Sequence, residues 1–122
     1  MKIDNKTEQL ILALTKQTVN NSISWESYPI PSSLTKGTDN YYPFFLKTEY
    51  KNKFIGLYQK RYRYFHDEHE FYWSEDTGLC ILDQNDTVIW ECNERSSTLS
   101  NLLDIARKQA AGINDILNDL LD

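Results

Sequence analysis

Apolar positions along this chain run from helical spacing to alternation and back to helical spacing, and each change of period predicts a different element. Leu10, Ile11, Leu14 and Val19 recur at helical spacing behind a capping Asp4 or Asn5, and Asn20–Asn21 stops the pattern, which predicts a first helix over residues 5–19. Residues 23–28 (ISWESY) alternate apolar and polar, the period of a half-buried strand. Pro29, Pro31, Ser32, Ser33, Gly37 and Asp39 then make the longest irregular segment.

From Tyr42 the pattern is strand-like for forty residues or so. Phe44, Phe45, Leu46, Thr48 and Tyr50 lead into a Lys51-Asn52-Lys53 turn and the long run FIGLYQKRYRYF, which reads as a hairpin. In that run Phe54, Tyr58, Tyr62 and Tyr64 share one face, predicted to lie under the helices. Leu57, Gln59, Arg61 and Arg63 share the other, predicted to be wet. Gly56 suggests a bulge or the close approach of another backbone. After HDEHE come Phe71-Tyr72-Trp73, a predicted turn at residues 75–78, the run 79–82, a second turn at 83–86 and a last strand over 87–92. Ser96-Ser97-Thr98 caps an amphipathic helix whose apolar positions run from Leu99 to Leu121, with Gly112 as its weak point. The expected fold is therefore α+β: a single domain with an antiparallel meander of five or six strands, and an N-terminal and a C-terminal helix packed on one face.

Length and composition sharpen this picture. The chain has 122 residues, with 40% hydrophobic, 25% charged and 13% aromatic residues, so a packed core is expected. A net charge of -5 argues against a general nucleic-acid binder and against a membrane-surface protein. That average hides an uneven distribution. Residues 1–65 carry ten Lys and Arg against five acids, residues 66–94 carry nine acids and no Lys or Arg, and residues 95–122 are nearly balanced. Cys80 and Cys92 lack disulfide-framework or metal-ligand spacing and read as small core residues, so a reducing cytoplasm is the expected compartment. The apolar run at residues 10–14 is too short for a signal peptide or a membrane span.

Candidate chemistry is sparse. His66 and His69 invite a metal reading, but their spacing matches neither the i,i+4 pair of a helix nor the i,i+2 pair of a strand, and a solvated hairpin is expected instead. No nucleophile elbow, zinc-protease motif, phosphate loop or dinucleotide fingerprint occurs; neither catalysis nor a cofactor is expected. Lys60-Arg61-Tyr62-Arg63-Tyr64 interleaves bases with aromatics, as nucleic-acid-binding strands do, yet cross-strand pairing of the arginines with the later acids explains the same pattern. The acidic stretch supports protein binding: Asp67, Glu68, Glu70, Glu75, Asp76, Asp83 and Asp86, gathered along one rim with Tyr72 and Trp73 as anchors, would suit a basic partner.

The segments LALTKQT, ISW, the central hairpin, ILDQNDTVIWE and LLDIARKQAAGINDILNDLL together resemble, in their layout, small bacterial α+β proteins, some of which act as immunity partners of polymorphic or contact-dependent toxins. The resemblance implies a protein-binding role, with a basic toxin domain as the partner, and transfers no functional residue. The leading expectation is thus an immunity-type inhibitor acting by occlusion. A nucleic-acid or peptide binder using residues 54–65 stands second and an enzyme third. The leucine face of the closing helix offers a homodimer contact, although burial against its own sheet explains it more simply.

Overall fold

The computed structural model describes residues 4–122. The chain runs α1 (Asn5–Val19), β1 (Glu26–Ser27), α2 (Ser32–Thr35), β2 (Tyr41–Tyr50), β3 (Lys53–Phe65), β4 (Phe71–Leu82), β5 (Val88–Cys92), α3 (Ser97–Ala110) and α4 (Ile113–Leu121). The strands form one open sheet in sequence order, every neighbouring pair antiparallel, so the expected α+β meander is the observed fold. Among the described residues, no helix is long and apolar enough to cross a membrane.

Local chemistry accounts for most element boundaries. Asp4 caps α1 by accepting from the Thr7 amide at 2.8 Å. Ser96 caps α3 in the same way, accepting from Leu99 N–H at 3.3 Å. Lys51 and Asn52, both with positive φ, make the two-residue turn between β2 and β3. Pro43 lacks a ladder donor, and the β2–β3 register shifts between Tyr41 and Phe44 around it.

Three elements differ from the sequence expectation. The strand expected at residues 23–28 is paired only at Glu26–Ser27. Upstream of that, the Gln109 side chain of α3 acts as the missing neighbour, accepting from Trp25 N–H at 2.8 Å and donating to Ile23 O at 2.8 Å. The turn expected at residues 75–78 does not form. β4 runs straight through it, in unbroken register with β3 from Phe71 to Leu82. The closing helix is broken at Gly112, whose φ of 66° is the left-handed conformation that ends a helix.

The core has two layers, one on each side of the sheet. Against α1 and α3, Ile11, Leu14, Trp25, Leu57, Leu79, Leu99, Leu102 and Ala106 are buried together. The opposite side was expected to be wet, but there Leu34 of α2 covers Phe45, Tyr58, Cys80 and Leu82. The tyrosine face is accordingly the reverse of the expectation. Cross-strand partners place Tyr58 with Gly78 and Tyr64 with Tyr72 on the side away from α1 and α3, while Arg61 and Arg63 take the helix side, alternate with buried Leu57.

Candidate functional site

β3 and β4 outrun their neighbours. Pairing with β2 ends where Tyr41 meets Arg61, and pairing with β5 ends where Leu79 meets Cys92. Beyond those points the hairpin continues alone to its turn at residues 66–70, a two-stranded arm that protrudes about 13 Å past β2 at about 3.3 Å per residue. Among the described residues, none buries the arm's end, and its side chains are exposed on both faces.

Those side chains are aromatic. Tyr64, Phe65, Phe71, Tyr72 and Trp73 are 51, 56, 46, 57 and 57% exposed. They are contiguous within each face. On the helix side Phe65 and Phe71 have ring centroids 5.6 Å apart, and Trp73 meets Phe71 edge-on at 6.1 Å. The Arg63 guanidinium lies 5.7 Å from the Phe65 ring and 5.5 Å from the Phe71 ring. On the other side Tyr64 and Tyr72 lie 5.2 Å apart. Scattered exposed apolar residues are ordinary, but a cluster of three aromatics on one face of the arm, backed by a pair on the other, is the kind of apolar surface that marks interaction sites.

At the root of the arm a cleft of about 410 Å³ opens between Tyr41, Arg61, Trp73, Ser74 and Glu75. Its polar groups are already paired. Arg61 Nε donates to Glu75 Oε2 at 2.7 Å, and Gln59 Nε2 donates to the other carboxylate oxygen. Arg63 is paired with Asp39, and Arg95 lies 3.4 Å from Asp76.

The acids expected to share a rim are divided. Asp67, Glu68 and Glu70 occupy the tip of the arm, where Asp67 closes the turn by accepting from the His69 and Glu70 amides at 2.7 and 2.9 Å. Glu68 lies 3.3 Å from His69 Nε2, and both are exposed. Glu75 and Asp76 sit midway along β4 instead of in a turn. Asp83 and Asp86 lie past the far end of β4; its 12 residues put them about 36 Å from the tip. There Asp83 accepts from the Asn85 and Thr87 amides at 2.8 and 2.9 Å, and Asp86 pairs with Lys47 at 2.8 Å. Tyr72 and Trp73 therefore stand with Asp67, Glu68, Glu70, Glu75 and Asp76, and apart from Asp83 and Asp86.

Sequence reasoning missed Tyr41 and Phe71 as site residues, and it placed Tyr64 and Phe65 only in the alternative nucleic-acid- or peptide-binding strand 54–65. The available signal was strand length, since the unbroken run of thirteen residues in β3 outlasts the ten of β2. Among the described residues, no group of three or more His, Cys, Asp and Glu side chains is placed to hold a metal ion. Compared with known proteins, the chain matches no protein family, no curated protein and no solved structure.

Proposed function

We propose that this chain is a non-catalytic protein-binding module that docks through the β3–β4 arm. The observation that carries the reading is the pair of half-exposed aromatic clusters on the two faces of the arm, Phe65, Phe71 and Trp73 on one and Tyr64 and Tyr72 on the other. Aromatic side chains offer large contact area with few rotors to fix, and they dominate the energetics of interfaces. Asp67, Glu68 and Glu70 at the tip favour a partner whose apolar recess is ringed by Lys or Arg. Together with the layout resemblance, this points to an immunity-type inhibitor that occludes a basic bacterial toxin domain in the cytoplasm. The nucleic-acid alternative has less support, because Arg61 and Arg63 are already committed to Glu75 and Asp39.

The reading expects a basic toxin domain encoded beside this chain's gene, and the test is binding to that domain, measured by calorimetry; a neighbouring gene with no such product counts against the reading. The expected result is a one-to-one complex that Tyr72→Ser and Trp73→Ser each weaken about tenfold or more, as hot-spot aromatics do. Charge reversal at Glu68 and Glu70 should mainly slow association. Affinity untouched by both aromatic changes overturns the arm as the docking element. Retardation of single-stranded RNA at moderate salt, with no binding to the toxin domain, would favour the nucleic-acid reading instead.

A further inference from the structure

The pairing in the cleft at the root of the arm is one-sided. Glu75 is bonded at both oxygens, one by Arg61 Nε at 2.7 Å and the other by Gln59 Nε2. Arg61, by contrast, spends one of its five N–H donors on that bond. Among the described residues, its Nη1 and Nη2 groups meet no acceptor. Arg61 lines the cleft of about 410 Å³ together with Tyr41 and Trp73, so the leftover donors and the aromatic rings border one space. A surplus of donors calls for a ligand that brings acceptors, and the strongest common partner of a guanidinium is a carboxylate.

The guanidinium is held in place before any ligand arrives. Glu75 engages its Nε side, and the Tyr41 ring centroid lies 5.9 Å from its Cζ. The remaining Nη1–Nη2 edge is one that takes a carboxylate through two parallel bonds. Arg63, one row nearer the tip, does not compete, because it is paired with Asp39 and lies against the Phe65 and Phe71 rings. With Glu75 and Asp39 each matched by an arginine, no net negative charge opposes an incoming anion. One free fork suits a single acid group, not the succession of phosphates that a nucleic acid presents.

The walls set the shape. Tyr41 opposes Arg61 from β2, and Trp73 stands on β4 on the same face as Glu75, the Arg61 partner. The two aromatic residues therefore flank β3 from strands roughly 10 Å apart. A flat ring between them sits roughly 5 Å from each, a normal distance for aromatic pairs. Both are about half exposed, so their rings are open to a ligand. We propose that this cleft binds an aromatic carboxylate, its ring between Tyr41 and Trp73 and its acid group on the Nη1–Nη2 edge of Arg61. The cleft volume is in the range of small-ligand pockets. A free aromatic acid and the C-terminal aromatic residue of a peptide both carry this chemistry. The inference goes beyond the docking role of the arm and does not depend on it, since Tyr41 and Arg61 lie outside the aromatic clusters assigned to docking.

The test is an NMR titration of the isotope-labelled chain alone with N-acetyl-L-phenylalanine, read at the Trp73 indole N–H. The expected result is a saturable shift with a dissociation constant on the order of 1 mM, ordinary for a ligand of this size. The amide of the same compound should bind at least tenfold more weakly, because it loses the charge-assisted pair. Arg61→Gln should weaken the acid at least tenfold and leave the amide unchanged, whereas Tyr41→Ser should weaken both alike. Unchanged Leu57 and Leu79 amide resonances in each variant show that the sheet is intact. The tripeptide Gly-Gly-Phe with a free C-terminus separates the two sources: tighter binding than the acetylated amino acid assigns the cleft to a chain terminus, and equal or weaker binding assigns it to a free acid. Acid and amide binding alike, an acid affinity untouched by Arg61→Gln, or no shift at Trp73 up to about 10 mM, tenfold above that constant, overturns the proposal. None of these outcomes bears on the toxin measurement, which is made on a different partner.

Discussion

At the level of single residues, the most constrained position is Tyr58, fully buried on the side of the sheet away from α1 and α3. Its ring lies directly over Gly78, where any Cβ would collide with it. Gly78 after Glu-Asp-Thr reads as a turn residue, but its φ is not positive, and its role is to leave room for a ring on the neighbouring strand. That role depends on register, which no local signal carries. Burial and the hydrogen bond to Glu91 hold the Tyr58 hydroxyl well above its usual 10.0, and burial with the Glu91 charge pushes the Cys80 thiol from 9.0 up to about 12. Both groups thus bind their protons more tightly in the folded chain than in the unfolded one. Their contribution to stability is complete below the unfolded values and is lost as pH rises past them. The urea midpoint should therefore fall between about pH 9 and about pH 11, more gently in Tyr58→Phe, which removes one of the two groups. Tyrosinate absorbance should show one of the 8 tyrosines failing to ionise until the chain unfolds. A midpoint flat across that range would contradict the burial assigned to both groups.

At the level of elements, hydrophobic period was a good guide wherever one face packs on the helices. α1, the β2–β3 hairpin and the start of α3 fall where their patterns place them, because Ile11, Leu14, Leu57 and Leu99 all point into one layer. The pattern misled in two places. In β4 the polar sequence Ser-Glu-Asp-Thr imitates a turn, yet each residue has a cross-strand partner: Tyr62, Arg61, Lys60 and Gln59. At the C-terminus the apolar period continues past Gly112, although α4 buries none of its residues and Leu120 and Leu121 are 76 and 84% exposed. Periodicity records that a helix has an apolar face, not that this chain covers it. The consequence is measurable. Ending the chain after Ala111 should change the unfolding free energy by no more than about 0.5 kcal/mol, the scale of exposed substitutions, while Leu102→Ala should cost about 3 kcal/mol or more. Urea denaturation of the two variants checks this. A large loss on truncation would mean that α4 packs against the body of the molecule.

At the level of the whole molecule, the sheet is a wall between two unequal cores, and the two cysteines report on one each. Cys92 belongs to the layer under α1 and α3, and Cys80 to the smaller layer under α2. No periodic signal marks the second layer, because its cover is the proline-containing segment that reads as a plain loop. Its attachments are short-range: Leu34 inserts from α2 beside buried Pro31 and half-buried Ile30, Tyr42 Oη donates to Leu34 O at 3.1 Å, and Ser33 Oγ donates to Asp86 O at 3.0 Å. A cover held by buried Pro31 and Leu34, half-buried Ile30 and two hydrogen bonds opens at lower free energy than helices anchored by a continuous apolar stripe. Leu34→Ala should therefore act locally. Losing that side chain weakens the cover by about 2 kcal/mol, and each opening both exposes the Cys80 sulfur and relieves the burial that keeps it protonated. The expected result is faster labelling of Cys80 by a thiol reagent under native conditions, by about thirtyfold for that change, with Cys92 labelled no faster than global unfolding allows. Leu99→Ala, on the other side of the wall, should instead favour Cys92. If either substitution speeds both cysteines in parallel, the two layers unfold as one unit and the cover of the second face has no independent opening. Separate responses would show that the face bearing Tyr64 and Tyr72 of the arm can change its covering while the helix-backed frame that supports the arm stays intact.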